Sequence, residues 1–302
     1  MTTSNEPVYI KHSASGASAM VRPFGATLTS YKTSSGKEIL FVSKLAKTDG
    51  SKALRGGIPL VFPQFGQPNP NMPSHGFLRC NYWKTNEQSY YDNDDEAGCE
   101  FTLDLKDVVS GKGDTVWSDG SVDCTLSFMV KVQASSITTT LTIHNNGKNQ
   151  FDYQTLLHTY YKINGSKALC NNSCNVVGLD GYNIDDKITS EQSVQDSSPI
   201  GIDREVDRIY TPPTGKSKLD VVICTGDDGS KVSLKATATE GEKEIPVSVV
   251  VWNPFIEKAK RLGDFDDNEY HDMLCVEPGI LSGMEPLAPG NTVVFEQQIT
   301  AL

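Results

Sequence analysis

The sequence predicts an all-β protein, specifically a large antiparallel β-sandwich. Short runs rich in β-branched and aromatic residues recur along the 302-residue chain, each bounded by Gly, Asn, Asp or Pro. This is the pattern of strands joined by turns, and helical periodicity is scarce beside it. Because no break in composition divides the chain and no repeat of fixed period occurs, we expect one domain over residues 1–302.

The strand prediction is clearest in VDCTLSFMVKVQ, where Leu126, Phe128, Val130 and Val132 alternate with mostly polar neighbours, as in a half-buried strand. The next run, SITTTLTIHNNG, repeats the alternation and ends in a hairpin-like turn. Further strands are predicted in FDYQTLLHTYYKING, VSVVVWNP, HDMLCVEPG and TVVFEQQITAL. The polar stretches expected to form surface loops or sheet edges are 85–99, 106–121 and 183–200.

The charge and cysteine content limit the partners and the setting. A formal charge of −11 argues against nucleic acid and anionic membranes as nonspecific partners, but a few local arginines could still hold one phosphorylated ligand. No apolar run reaches the length of a membrane span, and no signal-peptide core is visible. Seven dispersed cysteines suggest free thiols in a reducing compartment, so we expect a cytoplasmic protein.

Residues 55–83 (RGGIPLVFPQFGQPNPNMPSHGFLRCNYW) combine proline, glycine and a few cationic side chains. The prolines remove backbone donors, which favours a rigid loop over a central strand. A rigid loop can hold side chains in place, and the planar fork of Arg55 or Arg79 suits a phosphate. Taken singly, each arginine is better explained as a solvated or ion-paired side chain, and His75 as a histidine bonded to backbone in a turn.

Two titratable residues lie in apolar strands. His158 in LLHTYY shares a strand face with Gln154, Tyr160 and Lys162, and this polar set favours a cleft in which a histidine could donate a proton. A lone strand histidine is nevertheless more often structural. Glu277 in MLCVEPGIL is either a partly buried general base or a carboxylate that reaches solvent at the strand end.

Three weaker signals concern sugar and metal binding. Trp252 offers a flat face for a sugar ring, although most tryptophans fill core. The acidic run GDFDDNE, from Gly263 to Glu269, fails the spacing of a calcium loop, so we expect a solvated acidic loop. The pair Cys170 and Cys174 lacks a second pair of ligands, so a metal is not expected there.

Six motifs occur in one order along the chain: RGGIPLVFPQFGQ, SHGFLR, LLHTYY, EVDRIY, VVWNP and CVEPG. In them the chain closely resembles the glucose-6-phosphate 1-epimerases, or hexose-6-phosphate mutarotases, of the aldose 1-epimerase superfamily. The resemblance runs from about Phe24 to the C-terminus. It implies a galactose mutarotase-like supersandwich that interconverts the α and β anomers of glucose 6-phosphate without a metal or organic cofactor.

The same resemblance assigns roles to individual residues. It makes Glu277 in CVEPG the catalytic base and His158 in LLHTYY the catalytic acid. The residues that it places at the substrate are Arg55, Gln64, His75, Arg79 and Asp207, with the arginines at the phosphate and His75 and Asp207 at the sugar. The chain departs from many relatives at Gly283 and Met284, where a more polar segment is usual.

The implied partner is therefore a small molecule, a hexose 6-phosphate, bound by a monomer. Two alternatives stay open at this stage. The first is a sugar-phosphate-binding or regulatory module that kept the fold without turnover. The second is a glycoside-processing enzyme, which would normally need two carboxylates flanking the bond, whereas the motifs supply one clear carboxylate opposite a histidine.

Overall fold

The computed structural model describes residues 6–165, 167–169 and 172–302. Cys170 of the predicted cysteine pair lies outside these residues. The strands are β1 (Val8–Lys11), β2 (Ser18–Arg22), β3 (Thr27–Lys32), β4 (Leu60–Val61), β5 (Lys84–Asp92), β6 (Ala97–Asp104), β7 (Cys124–Val132), β8 (Ser136–Asn145), β9 (Phe151–Leu157), β10 (Tyr160–Lys162), β11 (Cys174–Val177), β12 (Asn183–Asp186), β13 (Gln192–Val194), β14 (Ile200–Gly201), β15 (Val206–Thr211), β16 (Leu219–Thr225), β17 (Lys231–Glu240), β18 (Lys243–Ile245), β19 (Ser248–Asn253), β20 (Met273–Leu287) and β21 (Thr292–Ala301).

Helical structure is minor in the described part of the chain. It comprises α1 (Phe255–Ala259) and three 3-10 turns, Leu78–Cys80, Leu105–Asp107 and Glu269–His271. None of the helices among the described residues has the length and apolar character that a membrane span needs.

The strands form three antiparallel sheets. The small sheet has the order β1-β2-β3. The eight-stranded sheet runs β13-β12-β15-β19-β20-β9-β4, with β10 also paired to β20, and the ten-stranded sheet runs β14-β11-β16-β17-β21-β8-β7-β6-β5, with β18 paired to β17. The predicted all-β antiparallel architecture is thus confirmed.

The two larger sheets share one apolar core. Along β7, buried and half-buried residues alternate throughout, as the sequence predicts. Phe128 of β7 and Phe295 of β21 belong to the same buried cluster as Tyr153 of β9 and Val249 of β19, so the sheets pack face to face. Each such side chain contributes about 1.5–3 kcal/mol when fully buried, which makes this cluster the main source of stability.

The polar stretches that the sequence predicts as surface loops or sheet edges lie largely at sheet edges or outside the strands. β5 forms one edge of the ten-stranded sheet and β13 one edge of the eight-stranded sheet. The segment 106–121 contains no strand. Residues 97–99 differ from the prediction, because they begin β6 and are buried.

The 55–83 segment confirms the prediction of a loop, with only the two-residue strand β4 paired to β9 at the sheet edge. Its glycines allow close backbone approaches. At Gly76, with φ of +72°, a Cβ would lie 1.9 Å from the carbonyl oxygen of Phe62, a distance that no side chain tolerates. The segment is therefore folded closely on itself, and β4 joins it to β9, which ends just before His158.

Two of the four acidic residues in the run after Gly263 do not fit the solvated loop that we expected. Asp264 and Glu269 are only 3% and 2% exposed. Glu269 accepts hydrogen bonds from Ser43 Oγ at 2.6 Å and from the backbone N–H of Lys44 at 3.0 Å. Buried carboxylates persist when paired, and the partners here are too distant in sequence for the local pattern to reveal them.

Candidate active site

A cavity of about 740 Å³ lies where the 55–83 segment meets the eight-stranded sheet. Its volume is in the range of small-molecule sites. Of the seven site residues predicted from the sequence, five line this cavity: Arg55, His75, His158, Asp207 and Glu277. The segment supplies the first two, and the strands or strand ends of the sheet supply the others.

The strand register brings His158 and Glu277 together. In the pairing of β9 with β20, Leu156 lies opposite Gly279, and in the pairing of β10 with β20, Tyr160 lies opposite Cys275. Both registers place His158, which lies between β9 and β10, across from Glu277. Directly opposed residues in an antiparallel pair point to the same face, which is why the two side chains meet.

The contact between these side chains is close and dry. His158 Nδ1 lies 3.3 Å from Glu277 Oε1, with side-chain exposures of 9% and 1%. The two groups are not aligned as a hydrogen bond, and His158 Nδ1 and Glu277 Oε2 are both buried without a hydrogen-bond partner among the described residues. The backbone N–H of His158 donates to the carbonyl oxygen of Pro59 at 3.0 Å. The imidazole stacks on Tyr160 at 4.8 Å between ring centroids.

Burial determines the electrostatics of the pair. It raises the pKa of Glu277 well above its ordinary value, and the nearby Asp207 raises it further, while Arg79 and Arg55 lower it. Burial also lowers the pKa of His158 well below its ordinary value, in the same direction as the neighbouring cations. Without a ligand the pair therefore favours a protonated carboxyl beside a neutral imidazole.

His75 is held as a neutral hydrogen-bond donor. Its backbone has φ of +67°, and its Nδ1 accepts a hydrogen bond from the N–H of Gly66 at 3.2 Å. The hydrogen then resides on Nε2. Burial and the charges of Arg79 and Arg55 lower the pKa of His75 to about 3. In this tautomer His75 can donate to a sugar oxygen from the cavity wall.

Arg55 is fixed by two contacts. Its Nε donates to Asp264 Oδ1 at 3.1 Å and its Nη1 to the Tyr160 hydroxyl at 3.2 Å. Asp264 also pairs with Lys52 at 2.7 Å. Because these contacts use Nε and one hydrogen of Nη1, Nη2 and the second hydrogen of Nη1 are available to a ligand in the cavity.

Gln64 and Arg79 do not line the cavity. The amide of Gln64 instead braces its own loop, donating to the Pro73 carbonyl at 3.0 Å and accepting from the Asn69 N–H at 3.0 Å. Arg79 donates through Nη2 to the Ser74 carbonyl at 2.7 Å, and its Nε is buried without a partner among the described residues. Arg79 therefore acts on the site through its charge and through the backbone beside His75.

Beside Asp207 the cavity carries charged groups that the motifs did not assign. Asp207 Oδ2 lies 3.3 Å from Lys258 Nζ, and Lys258 also pairs with Glu205 at 3.1 Å. Lys187 and Asp185 line the same side. No local signal marks Lys187 or Asp185, since they reach the cavity only through the pairing of β12 with β15.

Of the remaining residues noted in the sequence, Trp252 lines the cavity and the Gly283–Met284 pair does not. Trp252 is buried and contacts His158 edge-on at 6.2 Å between ring centroids, so it is part of the cavity lining rather than of the main core. Gly283 and Met284, where the chain departs from many relatives, lie on the exposed part of β20 outside the cavity.

One further group lies close to the His158–Glu277 pair. Cys275 is fully buried on the same face of β20 as Glu277. One ligand atom from each of His158, Cys275 and Glu277 falls within 4.8 Å of the others. These three side chains have donor types that can hold a metal ion.

The chain is similar to proteins of one family throughout its length. The family model for aldose 1-epimerase matches residues 8–300. A protein of Cenchrus ciliaris, named an inferred glucose-6-phosphate 1-epimerase, is 29% identical over 278 residues that cover 88% of this chain and 76% of that protein. One of Escherichia coli strain K12 with the same name is 26% identical over 276 residues, covering 91% and 84%.

The fold agrees with these matches. The crystal structure of an inferred mutarotase, YeaD, from Salmonella typhimurium superposes with a TM-score of 0.76 at 22% identity, covering 94% of this chain and 87% of that one. At 22% identity the superposition shows that the two chains share a fold and no more. The family match, the fold and the His158–Glu277 cavity agree, and the chain belongs to the aldose 1-epimerase family, the mutarotase class of sugar isomerases.

Proposed function

We propose that this protein interconverts the α and β anomers of a hexose 6-phosphate, with glucose 6-phosphate as the first substrate to test. The observation that carries the proposal is the buried His158–Glu277 pair, 3.3 Å apart, in a cavity that also holds Arg55. A carboxylate and a histidine are the acid and base that anomer exchange requires. The names of the relatives from Cenchrus ciliaris and Escherichia coli support the phosphorylated substrate.

The reaction is a pair of proton transfers. In the reacting arrangement the proton of the Glu277 carboxyl has passed to His158. Glu277 then takes the proton of the C1 hydroxyl while His158 gives a proton to the ring oxygen, and the ring opens to the aldehyde. Rotation about the C1–C2 bond exposes the other face of the aldehyde, and reclosure reverses both transfers. General acid–base catalysis of this kind contributes about 10²–10⁴-fold for each group.

The proton count of the pair suits a reversible exchange. A carboxylate beside an imidazolium and a carboxyl beside an imidazole hold the same number of protons. Ring opening converts the first arrangement into the second, which burial of Glu277 and His158 favours. The protein therefore needs no proton from solvent during turnover, and the open-chain complex is bound by an uncharged pair.

We expect cationic side chains at the cavity to bind the phosphate group. Arg55 offers Nη2, and Lys258 and Lys187 also line the cavity. Both lysines are paired with carboxylates, Lys258 with Glu205 and Asp207 and Lys187 with Asp185, so the donor that Arg55 still offers is the feature that suits an anionic ligand. Contacts to a remote phosphate can orient the sugar without touching the reacting carbon. Asp207 and His75 are then placed to bind sugar hydroxyls.

Anomer exchange of the wild-type protein tests the proposal. Saturation-transfer NMR on glucose 6-phosphate and on free glucose should give faster exchange than buffer alone, with the higher kcat/KM for the phosphorylated sugar. Exchange at the buffer rate with both sugars, and with other free hexoses, would overturn the catalytic role. Equal kcat/KM for the two substrates would overturn the phosphate preference alone.

A further inference from the structure

The cluster of His158, Cys275 and Glu277 combines three metal-binding donor types in a place where each is out of water. The residues are 7%, 0% and 1% exposed, respectively. The acid–base mechanism uses the histidine and the glutamate but gives no role to the thiol. The presence of the Cys275 thiol therefore needs a separate explanation.

The distances in this cluster approach those of a tetrahedral zinc site. Nitrogen and oxygen ligands at about 2.0–2.1 Å from zinc lie about 3.3–3.4 Å apart across a tetrahedral angle. His158 Nδ1 and Glu277 Oε1 already lie 3.3 Å apart. A thiolate at about 2.3 Å from zinc would lie about 3.6 Å from either atom, whereas the observed group spans no more than 4.8 Å. A movement of about 1 Å by the thiol would complete three ligands.

Two unpartnered atoms point to a ligand at the same place. His158 Nδ1 and Glu277 Oε2 are buried without a hydrogen-bond partner among the described residues, which is costly for polar atoms. A cation would give these side chains a partner. Zn²⁺ displaces the thiol proton on coordination, and with one thiolate and one carboxylate the complex is uncharged, so burial does not penalise it.

Access and an open coordination position are both present. His158 and Glu277 line the cavity, while Cys275 lies beneath them. A metal entering through the cavity would have three protein ligands and keep its fourth position toward the open side for water or a sugar oxygen. Three protein ligands with one open position is a familiar zinc arrangement.

We infer that His158, Cys275 and Glu277 bind a thiophilic divalent cation, for which Zn²⁺ is the probe, in competition with the sugar. The metal occupies the lone pairs that the two catalytic groups need for proton transfer. Binding of the metal is independent of the proposed function, whereas the inhibition that follows from it rests on that function. The two are measured separately.

Cobalt titration of the full chain tests the binding. Co²⁺ replaces Zn²⁺ in such sites and gives a thiolate-to-metal charge-transfer absorption only when a cysteine is a ligand. We expect this absorption in the wild type, its displacement by one equivalent of ZnCl2, and no comparable absorption in Cys275→Ser. The matched control is Cys124→Ser, the same change at another fully buried thiol, which should keep the absorption.

A second variant covers the case in which Cys275→Ser does not fold, as judged by circular dichroism. His158→Gln leaves the thiol in place and should weaken zinc binding about tenfold or more, since even outer partners of a metal ligand are worth about 10–100-fold. Absence of the charge-transfer absorption in the wild type, or its survival in folded Cys275→Ser, would overturn the site. Zinc affinity unchanged in His158→Gln would overturn it as well.

Kinetics test the competition. In wild type, ZnCl2 should raise the apparent KM for the sugar, EDTA should restore it, and MgCl2 at the same concentration should have little effect because Mg²⁺ prefers oxygen ligands. The exchange rates of Cys275→Ser and Cys124→Ser with ZnCl2 are each compared with the zinc-free rate of the same variant. Zinc that binds, as shown by cobalt displacement, but leaves the exchange rate unchanged would overturn the competition, and an absence of any exchange would instead overturn the proposed function.

Discussion

Nδ1 of His158 lies 3.3 Å from Oε1 of Glu277 because the two residues face each other across the pairing of β20 with the end of β9. The register, rather than a flexible loop, fixes this distance. Since β20 is flanked on both sides in its sheet, neither residue can move far without breaking strand hydrogen bonds. The pair is therefore preorganised, which is what proton transfer to and from a bound sugar requires.

The His158→Ala variant should lose anomer exchange by about 10²–10⁴-fold, the usual contribution of one acid or base. Removal of the imidazole deprives the ring oxygen of its proton donor, while binding of the phosphate at Arg55 continues. We therefore expect kcat to fall and KM to change little, as measured by saturation-transfer NMR. A fall in kcat/KM that came entirely from KM would assign His158 to binding instead.

The Arg55→Ala variant should raise KM for glucose 6-phosphate far more than for free glucose, because only the first substrate has the phosphate that Nη2 is expected to hold. A matched control is Lys106→Ala, which removes a positive charge from an exposed ion pair outside the cavity. Lys106→Ala should leave KM unchanged for both substrates. An equal effect of Arg55→Ala on both sugars would show that Arg55 is not the phosphate contact.

The Asp264→Ala variant should weaken phosphate recognition without touching the substrate. The carboxylate holds Nε of Arg55 at 3.1 Å, and its loss frees the guanidinium to adopt other rotamers. We expect a rise in KM for glucose 6-phosphate in the same direction as Arg55→Ala but smaller. In the double variant the two effects should not add, because they act on one contact. Full additivity would separate Asp264 from the proposed phosphate site.

Low pH should weaken the ion pair between Asp264 and Arg55. Although burial raises the pKa of Asp264, its contacts with Lys52 and Arg55 outweigh this and leave the pKa below its ordinary value of 3.8. A lowered pKa means that the carboxylate stabilises the fold above the unfolded-state pKa and that this contribution fades as pH falls through the folded-state value. The loss of stability in Asp264→Asn, measured by urea denaturation, should therefore be large at pH 7 and shrink below about pH 4. A loss that does not change with pH would contradict the ion pair.

Gln64→Leu should lower the free energy of unfolding and leave the anomer exchange kinetics unchanged. The buried amide satisfies backbone groups of Asn69 and Pro73, and leaving such groups unpaired costs about 1–3 kcal/mol. The exposed Gln67 in the same loop provides the control Gln67→Leu, for which a smaller loss is expected in urea denaturation. Should Gln64→Leu keep full stability and raise KM for the sugar, the amide would be a substrate contact after all.

The sequence predicts the fold class well, because alternation in segments such as β7 is a local property of the chain. It points to His158 and Glu277 only through motif order, since the pairing of β9 with β20 that brings the two residues together is not visible locally. The burial of Asp264 is missed for the same reason, as its partner Arg55 lies 209 positions away. Arg79 and Gln64 are in the predicted segment but point their hydrogen bonds into the loop, and no residue pattern distinguishes the two sides of a loop.

The central claim is that Glu277 and His158 exchange protons with the sugar, and the anomer exchange rate of Glu277→Gln beside the wild type tests it most directly. Glutamine keeps the size of the side chain and cannot accept the C1 proton. With both proteins folded by circular dichroism and saturated with glucose 6-phosphate, the account predicts rapid exchange in the wild type and a rate about 10²–10⁴-fold lower in the variant. Equal exchange rates in the two proteins would contradict it.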